Sequence, residues 1–460
     1  MTRGEDGNLR DRLTAALRGH GADYAEIRVE ESAATRLLYR GRELEDVGRS
    51  DSVGGCVRAL VRGGWGFACF NNLEGLRRQV TAAVRQARLV GREESRLAPV
   101  APVVEVVAPV VGKDPRAIPL AQKKELLDQY VQVIWSTPAI QSSNVRYFDG
   151  YRKVAFASSE GSYLEQSRID VTLGLGAIAR KGDDVQQMSI SLGSYGDYAP
   201  VEGLHAQIGE AANGAVAMLE APQVKGGEYT VVLDPILAGV FAHEAFGHLS
   251  ESDFIYENER MQEIMVLGKT FGRPILNISD GAAIPGLRGS FKYDDEGAPA
   301  SKTRLITNGV LTGRLHSRET AGKLGEAVTG NARAINYGFP PIVRMTNTII
   351  EPGTTTLAEM LSDIKEGVYA KNWYGGMTSM EMYTFSAAEA FMIRNGQIAE
   401  RLRPVQLSGN LFQTLPNIDA IGNDLDMNQG GGCGKGGQMP LPVSNGSPHI
   451  RIQKVLISGR

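Results

Sequence analysis

The sequence predicts an α+β fold, in which antiparallel strands are grouped together instead of alternating with helices. Two observations lead to this prediction. The first half of the chain runs twice through the order helix, several strands, helix, and the second half is mostly strand-like with turn signals between short runs. We therefore expect a two-part chain. An N-terminal α/β region of antiparallel sheets flanked by helices precedes a mostly β C-terminal domain, which carries one helix with two histidines.

The composition is that of an ordinary soluble protein of more than one domain. A chain of 460 residues is longer than one hydrophobic core usually serves. The net charge of −3 provides no basic surface for nucleic acid, so we expect no nucleic-acid partner. The N-terminal residues lack the apolar stretch of a signal peptide, and no apolar run is long enough to span a membrane. These features predict a cytoplasmic protein.

The first passage of the N-terminal region predicts two helices around a set of strands. Apolar periodicity over 9–17 predicts a helix that glycines end. Apolar and charged residues alternate over 25–29 as in a strand, and strand-like runs follow at 37–47, 54–61 and 65–70. A second helix over 73–87 has apolar residues on one face and arginines on the other.

The second passage repeats this order, with a helix over 120–135, strands between 145 and 192, and a helix over 204–219. Turn signals divide its strands at Asp149-Gly150, Glu160-Gly161 and Lys181-Gly182-Asp183. A duplication is one explanation of the repeated order. His205, on the last of these helices, is interpreted as a residue of the polar face.

A segment rich in proline and valine separates the two passages and is interpreted as an extended linker or an edge strand. We expect the N-terminal region to divide into three segments, which with the C-terminal domain makes four parts in the chain. They are an α+β subdomain over 1–96, the linker over 97–118, a second α+β subdomain over 119–222 and the β-rich C-terminal domain over 223–460.

The C-terminal domain contains two strong hairpin signals. Asn308-Gly309 and Asn395-Gly396 each stand between apolar runs, as in two-residue turns. Apolar residues at 357, 361 and 364 predict one amphipathic helix, and alternation over 449–457 predicts a strand. His316 and His449 have strand-like neighbours and no carboxylate-rich setting, so we interpret both as structural.

The stretch that carries chemistry is His243-Glu244-Ala245-Phe246-Gly247-His248. Two imidazoles flank a carboxylate, and these groups build hydrolytic zinc sites. In an HExxH motif the histidines are four residues apart, about 40° around a helix, whereas five residues give about 140°. A one-residue wide turn, the π-bulge, brings positions i and i+5 onto one face. We expect Gly247 to permit that distortion.

The surroundings of this motif indicate a partly buried helix. The run 229–233 predicts a short buried strand, after which Asp234 is placed to cap the helix and Pro235 to occupy its first position. The other interpretation is that His243 and His248 are unrelated, hydrogen-bonded core histidines. Only six histidines occur in the chain, and two of them bracket Glu244, which favours a metal site.

A glycine-rich stretch over 422–438 contains Cys433 and Lys435. A phosphate-binding P-loop is excluded by spacing, because Lys435 is followed by glycine instead of serine or threonine. The chain has three cysteines, too few for a disulfide framework, so at least one is free for other chemistry. Cys433 in a flexible glycine loop is either the third ligand of a His, His, Cys zinc site or an inert exposed thiol.

Several separated motifs together resemble the TldD/PmbA family, and the match covers nearly the whole chain. They are His243-Glu-Ala-Phe-Gly-His248, Tyr369-Ala-Lys-Asn372, Phe385-Ser-Ala-Ala-Glu-Ala390, Arg394-Asn-Gly396, Gly422-Asn-Asp-Leu425 and Cys433-Gly-Lys435. The order of the motifs, more than the rarity of any one, makes the resemblance specific. The chain is similar to the catalytic member of the family, since its paralogous partner lacks the HExxxH motif.

The resemblance implies a zinc-dependent peptidase that hydrolyses small or unfolded polypeptides, in peptide maturation or antitoxin turnover. It implies that His243, His248 and Cys433 bind Zn²⁺ and that Glu244 is the catalytic base acting on the zinc-bound water. It also implies a dimer around the active site, either a homodimer or a heterodimer with a PmbA- or TldE-like paralogue. We expect no membrane partner.

Two other functions remain open at this point. One is a non-catalytic peptide-binding or regulatory partner, in line with the family's older description as modulators of DNA gyrase. The other is a metal hydrolase of a small molecule. Glu251 and Asp253, just beyond the histidines, are either partners of the histidines or a solvated helix end, and we favour the solvated end.

Overall fold

The N-terminal region consists of four α-helices and seven strands in the part of the chain that the structure describes. The computed structural model describes residues 3–459 and confirms the α+β class. In chain order the elements are α1 (Arg3–Leu17), β1 (Tyr24–Arg40), β2 (Glu43–Val61), β3 (Gly64–Phe70), α2 (Leu76–Val90), β4 (Val104–Val107), α3 (Leu120–Trp135), β5 (Ile140–Ser158), β6 (Tyr163–Lys181), β7 (Asp184–Tyr195) and α4 (His205–Met218).

The two passages share one sheet. Its strand order is β3-β2-β1-β5-β6-β4, and β7 also pairs with β6. The order helix, three strands, helix occurs twice, as α1-β1-β2-β3-α2 and α3-β5-β6-β7-α4, and the first strands of the two passages pair antiparallel in the middle of the sheet. The segment between the passages contributes the short edge strand β4, which runs parallel to β6.

The helices cover one face of this sheet and leave the other to the C-terminal domain. Ile27 and Val57 belong to the core under α1 and α2, as the alternation of a half-buried strand requires. Their neighbours Arg28 and Arg58 point the opposite way. Arg28 pairs with Asp295 at 3.2 Å, and Arg58 with Glu296 at 2.9 Å, so buried ion pairs join the sheet to the C-terminal domain.

One predicted turn is wrong. Asp149-Gly150 lies inside β5, which runs straight through it. The Asp149 carboxylate is buried and accepts a hydrogen bond from the Lys123 ammonium of α3 at 2.5 Å, so the side chain serves packing between helix and sheet instead of a turn. The predicted turns at Glu160-Gly161 and Gly182-Asp183 are confirmed, since they join β5 to β6 and β6 to β7.

The C-terminal domain is β-rich. Its helices are α5 (Pro235–Ala242), α6 (Ser252–Tyr256), α7 (Glu259–Ile264), α8 (Arg318–Leu324), α9 (Leu357–Leu361) and α10 (Leu411–Thr414). Its strands are β8 (Gly227–Leu233), β9 (Ile278–Gly281), β10 (Lys302–Thr307), β11 (Val310–Leu311), β12 (Ala332–Arg333), β13 (Ile342–Val343), β14 (Asn347–Ile350), β15 (Glu366–Ser379), β16 (Met382–Arg394), β17 (Gln397–Leu402), β18 (Val405–Asn410), β19 (Ile418–Ile421), β20 (Asp426–Asn428), β21 (Gly432–Lys435), β22 (Gln438–Pro442), β23 (Ser444–Ser447) and β24 (Ile450–Gly459).

Two layers of strands enclose helix α5. In the first layer, β15 pairs with β8, β8 with β24, β24 with β18, β18 with β16, and β16 with β15 again, so the strands close into a ring. The second layer is a six-stranded sheet in the order β11-β10-β9-β14-β23-β20. Helix α5 contacts β15 on one side and β14, β20 and β23 on the other, which fixes its position.

Both predicted Asn-Gly hairpins are confirmed. Asn308 and Gly309 join β10 to β11, and Asn395 and Gly396 join β16 to β17, all with positive φ as a tight two-residue turn demands. Within residues 3–459 no helix combines the length and the apolar character needed to cross a membrane.

His205, His316 and His449 lie outside the two-histidine motif, and the prediction that the last two lack acidic partners is wrong. His205 is exposed and its Nε2 lies 3.1 Å from Gln129. His316 and His449 are buried, but each pairs with a carboxylate, Glu326 at 3.1 Å and Asp424 at 2.6 Å. These acidic partners lie 10 and 25 residues away in the sequence, so the immediate neighbours of the histidines gave no sign of them.

We expect Gly66→Ala to destabilise the N-terminal region. A Cβ at Gly66 of β3 would lie 1.8 Å from the carbonyl oxygen of Ala83 in α2, so the helix would have to move away from the sheet. Overpacking of this kind costs about 1–3 kcal/mol. Urea unfolding followed by tryptophan fluorescence measures the effect. Gly174→Ala in β6 is the matched control, since its Cβ would meet nothing within 4 Å; equal stability of the two variants would contradict the packing argument.

Candidate metal centre

Helix α5 begins as the sequence predicts. The Asp234 carboxylate accepts a hydrogen bond from the Leu237 amide at 2.9 Å, and Pro235 occupies the first turn, where its missing N–H is not needed. The Asn372 amide donates to the same carboxylate at 3.1 Å, so the start of the helix is tied to β15. A cap of this type contributes about 1 kcal/mol. The helix therefore enters the core at a fixed angle.

The predicted wide turn is present. Helix α5 continues into one π-helical turn, His243–Gly247, and then a 3₁₀ turn, His248–Ser250. The π turn places the two imidazole rings next to each other, with centroids 5.4 Å apart. The five-residue spacing and the local backbone therefore fit each other, as the bulge hypothesis requires.

Gly247 has a different role from the one predicted. Its φ of −57° and ψ of −50° are ordinary helical values, so the wide turn makes no use of glycine's conformational freedom. Instead, a Cβ at this position would lie 2.0 Å from the sulfur of Met345. Glycine leaves room here for the Met345 side chain, which would have to move to admit a larger residue.

Cys433 lies on a two-stranded hairpin, not on the flexible loop that the glycines predict. It belongs to β21, which pairs with β22, and its side chain is 3% exposed. Glycines 436 and 437 form the turn with positive φ. The buried Arg344 guanidinium donates to the Cys433 carbonyl at 2.8 Å and to the Gln438 carbonyl at 3.2 Å, and this clamp holds the two strands in place.

The structure brings the three predicted ligand residues together. Within residues 3–459, one ligand atom from each of His243, His248 and Cys433 lies within 4.8 Å of the others. The Cys433 sulfur is 3.5 Å from Nε2 of His248. Two imidazoles and one thiolate are donors that zinc prefers, and three protein ligands leave a fourth position for a reactant. The donor set thus fits a catalytic zinc ion.

The electrostatics of the cluster keep the sulfur ionised. Burial alone would raise the pKa of Cys433, but the positive charge and hydrogen bonds of His243 and His248 lower it to about 4. Burial acts to lower the pKa of both histidines, but the thiolate raises that of His243, and Glu251 together with the thiolate raises that of His248. The thiolate form, which is the form that binds metal, is therefore the stable one at neutral pH.

His248 is oriented by a buried carboxylate. Its Nδ1 lies 3.1 Å from Glu251 Oε2, which leaves Nε2 to face Cys433. Glu251 is 1% exposed and also pairs with the ammonium of Lys435 at 3.1 Å, two residues beyond the cysteine. Burial acts to raise the pKa of Glu251, but Lys435 and His248 lower it to about 2.

The preference for a solvated helix end is therefore wrong. Glu251 accepts from the metal-centre histidine, and Asp253 accepts a 2.6 Å hydrogen bond from Lys435 and a 3.2 Å bond from the Val343 amide. Partners of this kind fix the tautomer and ring orientation of metal-binding histidines. Glu251 and Asp253 together tie the helix end to the cysteine hairpin.

His243 is oriented by a hydroxyl and a second carboxylate. Its Nδ1 lies 3.5 Å from Thr348 Oγ1, and that hydroxyl donates to the buried Asp280 carboxylate at 2.8 Å. Because the Thr348 hydrogen is used by Asp280, the hydroxyl oxygen is free to accept from Nδ1–H. The other ring nitrogen of His243 is then left with its lone pair for a metal.

Glu244 lies beside the cluster and outside it. Its side chain is 29% exposed, and its Oε2 is 3.9 Å from Nε2 of His248. The carboxylate therefore sits next to the nitrogen that faces the cysteine and remains accessible to water. That position suits a base that acts on a reactant at the fourth position.

Sequence reasoning missed Asp280, Thr348 and Lys435 as supports of the centre. Asp280 and Thr348 come from β9 and β14, far from the histidines in sequence, and no local motif marks them. Lys435 stood out as a possible phosphate ligand and as part of the Cys433-Gly-Lys435 motif, but neither observation gave it a role beside the histidines. Lys435 follows Cys433 by two residues in the same short strand, and this proximity was the available signal.

Comparison with known proteins identifies the relatives of the chain. Models of the PmbA/TldA metallopeptidase family match three stretches, domain 1 at residues 25–88, the central domain at 113–219 and the C-terminal domain at 226–459. A metalloprotease of Synechocystis sp. is 51% identical over 440 residues, 95% of each chain. A protein of Saccharolobus solfataricus named zinc metalloprotease TldD homolog is 30% identical, over 95% of this chain and 97% of its own.

A solved structure shows the same fold. The crystal structure of TldE from Thermococcus kodakarensis superimposes with a TM-score of 0.77 and 17% sequence identity, covering 98% of this chain and all of the other.

We expect Glu251→Gln to weaken metal binding without unfolding the protein. The amide keeps the shape of the side chain but loses the charge that pairs with Lys435 and holds His248. Loss of such a partner typically costs about 10- to 100-fold in metal affinity. Competition with a chromophoric chelator measures the affinity. Glu257→Gln, on the exposed end of α6, is the control, and equal affinities of the two variants would contradict the role of Glu251.

Proposed function

The chain belongs to the PmbA/TldA metallopeptidase family, and we propose that it is a zinc-dependent peptidase that hydrolyses small or unfolded polypeptides. One observation carries the proposal. The side chains of His243, His248 and Cys433 converge within 4.8 Å, and the carboxylate of Glu244 lies beside them and is open to water. The metalloprotease names of relatives that match nearly the whole chain support a peptidase over a non-catalytic partner or a small-molecule hydrolase.

In the proposed mechanism, His243, His248 and Cys433 hold the metal. A zinc ion there supplies Lewis acidity, which lowers the pKa of a coordinated water and polarises a carbonyl. Glu251 and Thr348 keep a proton on Nδ1 of each histidine, so each ring offers its other nitrogen. The cysteine is already a thiolate, and its negative charge is offset by the surrounding histidines and not by solvent, since the sulfur is buried.

Glu244 performs the proton transfers in this proposal. Its carboxylate accepts the proton of the attacking water and then delivers that proton to the nitrogen of the leaving amine. The side chain is suited to both steps because it is partly exposed beside the cluster. The buried carboxylates Glu251 and Asp280 do not compete for this role, because their oxygens accept hydrogen bonds from protein groups.

A cavity lies behind the cysteine hairpin, although His243, Glu244, His248 and Cys433 are not among the residues that line it. It has a volume of about 800 Å³ and lies between the N-terminal sheet and the C-terminal domain. Gly432 and Leu441, the neighbour and the strand partner of Cys433, line one wall, and Tyr151 and Arg168 of the sheet line another. A space of this size accepts a ligand or a short peptide segment, whereas a folded domain is far too large for it.

We further propose that the protein works as a dimer that encloses the active site. An enclosed chamber excludes folded chains by size, which suits an enzyme for unfolded substrates. The partner is an identical chain or a PmbA- or TldE-like paralogue. Sedimentation of the active protein tests this, and a monomer that cleaves peptides at full rate would contradict it.

We expect Cys433→Ser to lose the metal. A serine hydroxyl is a far poorer zinc ligand than a thiolate, so the zinc content by elemental analysis should fall well below one per chain. Cys69→Ser should retain its zinc, because Cys69 lies on β3 of the N-terminal sheet. Full zinc content in Cys433→Ser would rule out this ligand.

We expect Glu244→Gln to keep the metal and the fold but to lose peptide cleavage. Loss of a general base typically costs about 10²- to 10⁴-fold in rate, and more when the same group protonates the leaving amine. Rates on an unfolded peptide and on a folded protein are compared with wild type, with zinc content measured in parallel. Undiminished cleavage by the zinc-loaded variant would refute the mechanism. Equal cleavage of the folded protein by wild type would refute the substrate class.

A further inference from the structure

Two cysteines outside the metal centre stand directly opposite each other. Cys56 of β2 and Cys69 of β3 are register partners in an antiparallel pair, and both are free thiols. Opposed residues in such a pair share one face of the sheet, with Cα atoms about 4.5–5.5 Å apart. A disulfide requires about 4.4–6.8 Å between Cα atoms. The strand pairing therefore gives the two residues the Cα separation that a disulfide needs.

The two thiols differ in their access to solvent and in their neighbours. Cys69 is exposed, and its sulfur lies 3.6 Å from the Tyr337 carbonyl oxygen. Cys56 is buried, and the Arg28 guanidinium lies 3.5 Å from its sulfur. A reagent in solution can therefore reach Cys69 first, whereas Cys56 is shielded and has a cation beside it that stabilises its thiolate.

Burial raises the pKa of both thiols, and Arg28 acts in the opposite direction on each. Their thiolate fraction is therefore small at neutral pH and grows as the pH rises. Thiol–disulfide exchange requires the thiolate, so the reaction at this pair becomes faster at alkaline pH.

We propose that Cys56 and Cys69 form a redox modification site, which a low-molecular-weight disulfide such as glutathione disulfide converts into a cross-strand disulfide. The Cys69 thiolate attacks one sulfur of the reagent, forms a mixed disulfide and releases one glutathione thiolate. The Cys56 thiolate then attacks the Cys69 sulfur, forms the protein disulfide and releases the second glutathione. The protein dithiol is oxidised by two electrons, the reagent is reduced by two, and the two thiol protons pass to solvent and glutathione.

The modification site faces the segment that supports the metal-centre hairpin. In this segment, the Tyr337 carbonyl oxygen faces the Cys69 sulfur at 3.6 Å. The Phe339 carbonyl accepts a hydrogen bond from the Arg28 guanidinium at 2.8 Å. The Gln438 side chain of β22 accepts from the Ile335 amide at 2.9 Å and donates to the Pro340 carbonyl at 3.1 Å. The segment 335–340 therefore lies between the two cysteines and the hairpin of Cys433. Disulfide formation removes the Cys69 hydrogen that faces Tyr337, and we infer that it loosens this segment.

Peptide mapping tests the bond. Zinc-loaded wild type is treated with glutathione disulfide at pH 8, alkylated and digested with trypsin without reduction. Fragments 50–58 and 63–77 contain one cysteine each, so the expected product is one linked species, two hydrogens lighter than their sum. Free thiols of the denatured chain should fall from three to one, and dithiothreitol should restore them. A stable mixed disulfide at Cys69 with Cys56 still free, or a bond to Cys433, would overturn the proposal.

Two controls separate the bond from its effect. Cys56→Ser should stop at the mixed disulfide on Cys69, because the resolving thiol is missing. Amide hydrogen exchange of wild type should become faster in 335–340 after oxidation and recover after reduction, with no change in Cys69→Ser treated in the same way. Unchanged amide exchange of 335–340 in oxidised wild type would overturn the inferred effect on this segment. It would also mean that the Cys56–Cys69 disulfide does not act on the zinc site through this segment.

Discussion

The carboxylate of Glu251 connects the segments from which the candidate metal centre is built. It accepts from His248 at the end of the π turn, from Lys435 on the cysteine hairpin and from the Met345 amide before β14. The group is buried and ionised, and its three partners offset the cost of taking that charge out of water. Removing one partner of such a pair typically costs about 3–5 kcal/mol. The positions of the histidine and of the cysteine are therefore not independent, because both are set against the same charge.

The same principle joins the two halves of the molecule. Arg28, Arg58 and Arg152 leave the N-terminal sheet on the face opposite its helices and pair with Asp295 and Glu296. Buried ion pairs add little stability compared with apolar packing, but a displaced pair leaves an uncompensated charge, so they allow one docking geometry and penalise others. The docked sheet then forms the wall of the cavity behind Cys433.

Features set by neighbouring residues were predictable, and features set by distant ones were not. Asp234 capped its helix, and the Asn-Gly turns closed their hairpins, because each needs only residues within a few positions. The π turn was predictable because two histidines five apart can share a metal only on a widened helix. Asp149-Gly150 has the composition of a turn, but the buried Asp149 carboxylate binds the Lys123 ammonium from within a strand.

The cysteine hairpin and the role of Gly247 could not be predicted from neighbouring residues, because both depend on contacts with residues far away in the sequence. The hairpin is clamped by Arg344, 89 residues earlier in the chain. The glycine makes room for the side chain of Met345, which packs on the helix from the segment between β13 and β14. Glu251 looked like a solvated helix end because its partner Lys435 is 184 positions away, and nothing in the surrounding sequence marks that contact.

The closed ring of strands determines the order in which the parts of the candidate metal centre are assembled during synthesis. Strand β8 leads directly into the histidine helix, and its two neighbours in the ring are β15 and β24. Residues 450–459 therefore complete the platform under the helix, after Cys433 itself has been made. During translation, the ribosome adds more than two hundred residues after His248 before it reaches β24, the strand that completes the ring under the helix. The position of the histidine helix, and with it the geometry of the candidate site, therefore depends on a strand that is made late in synthesis.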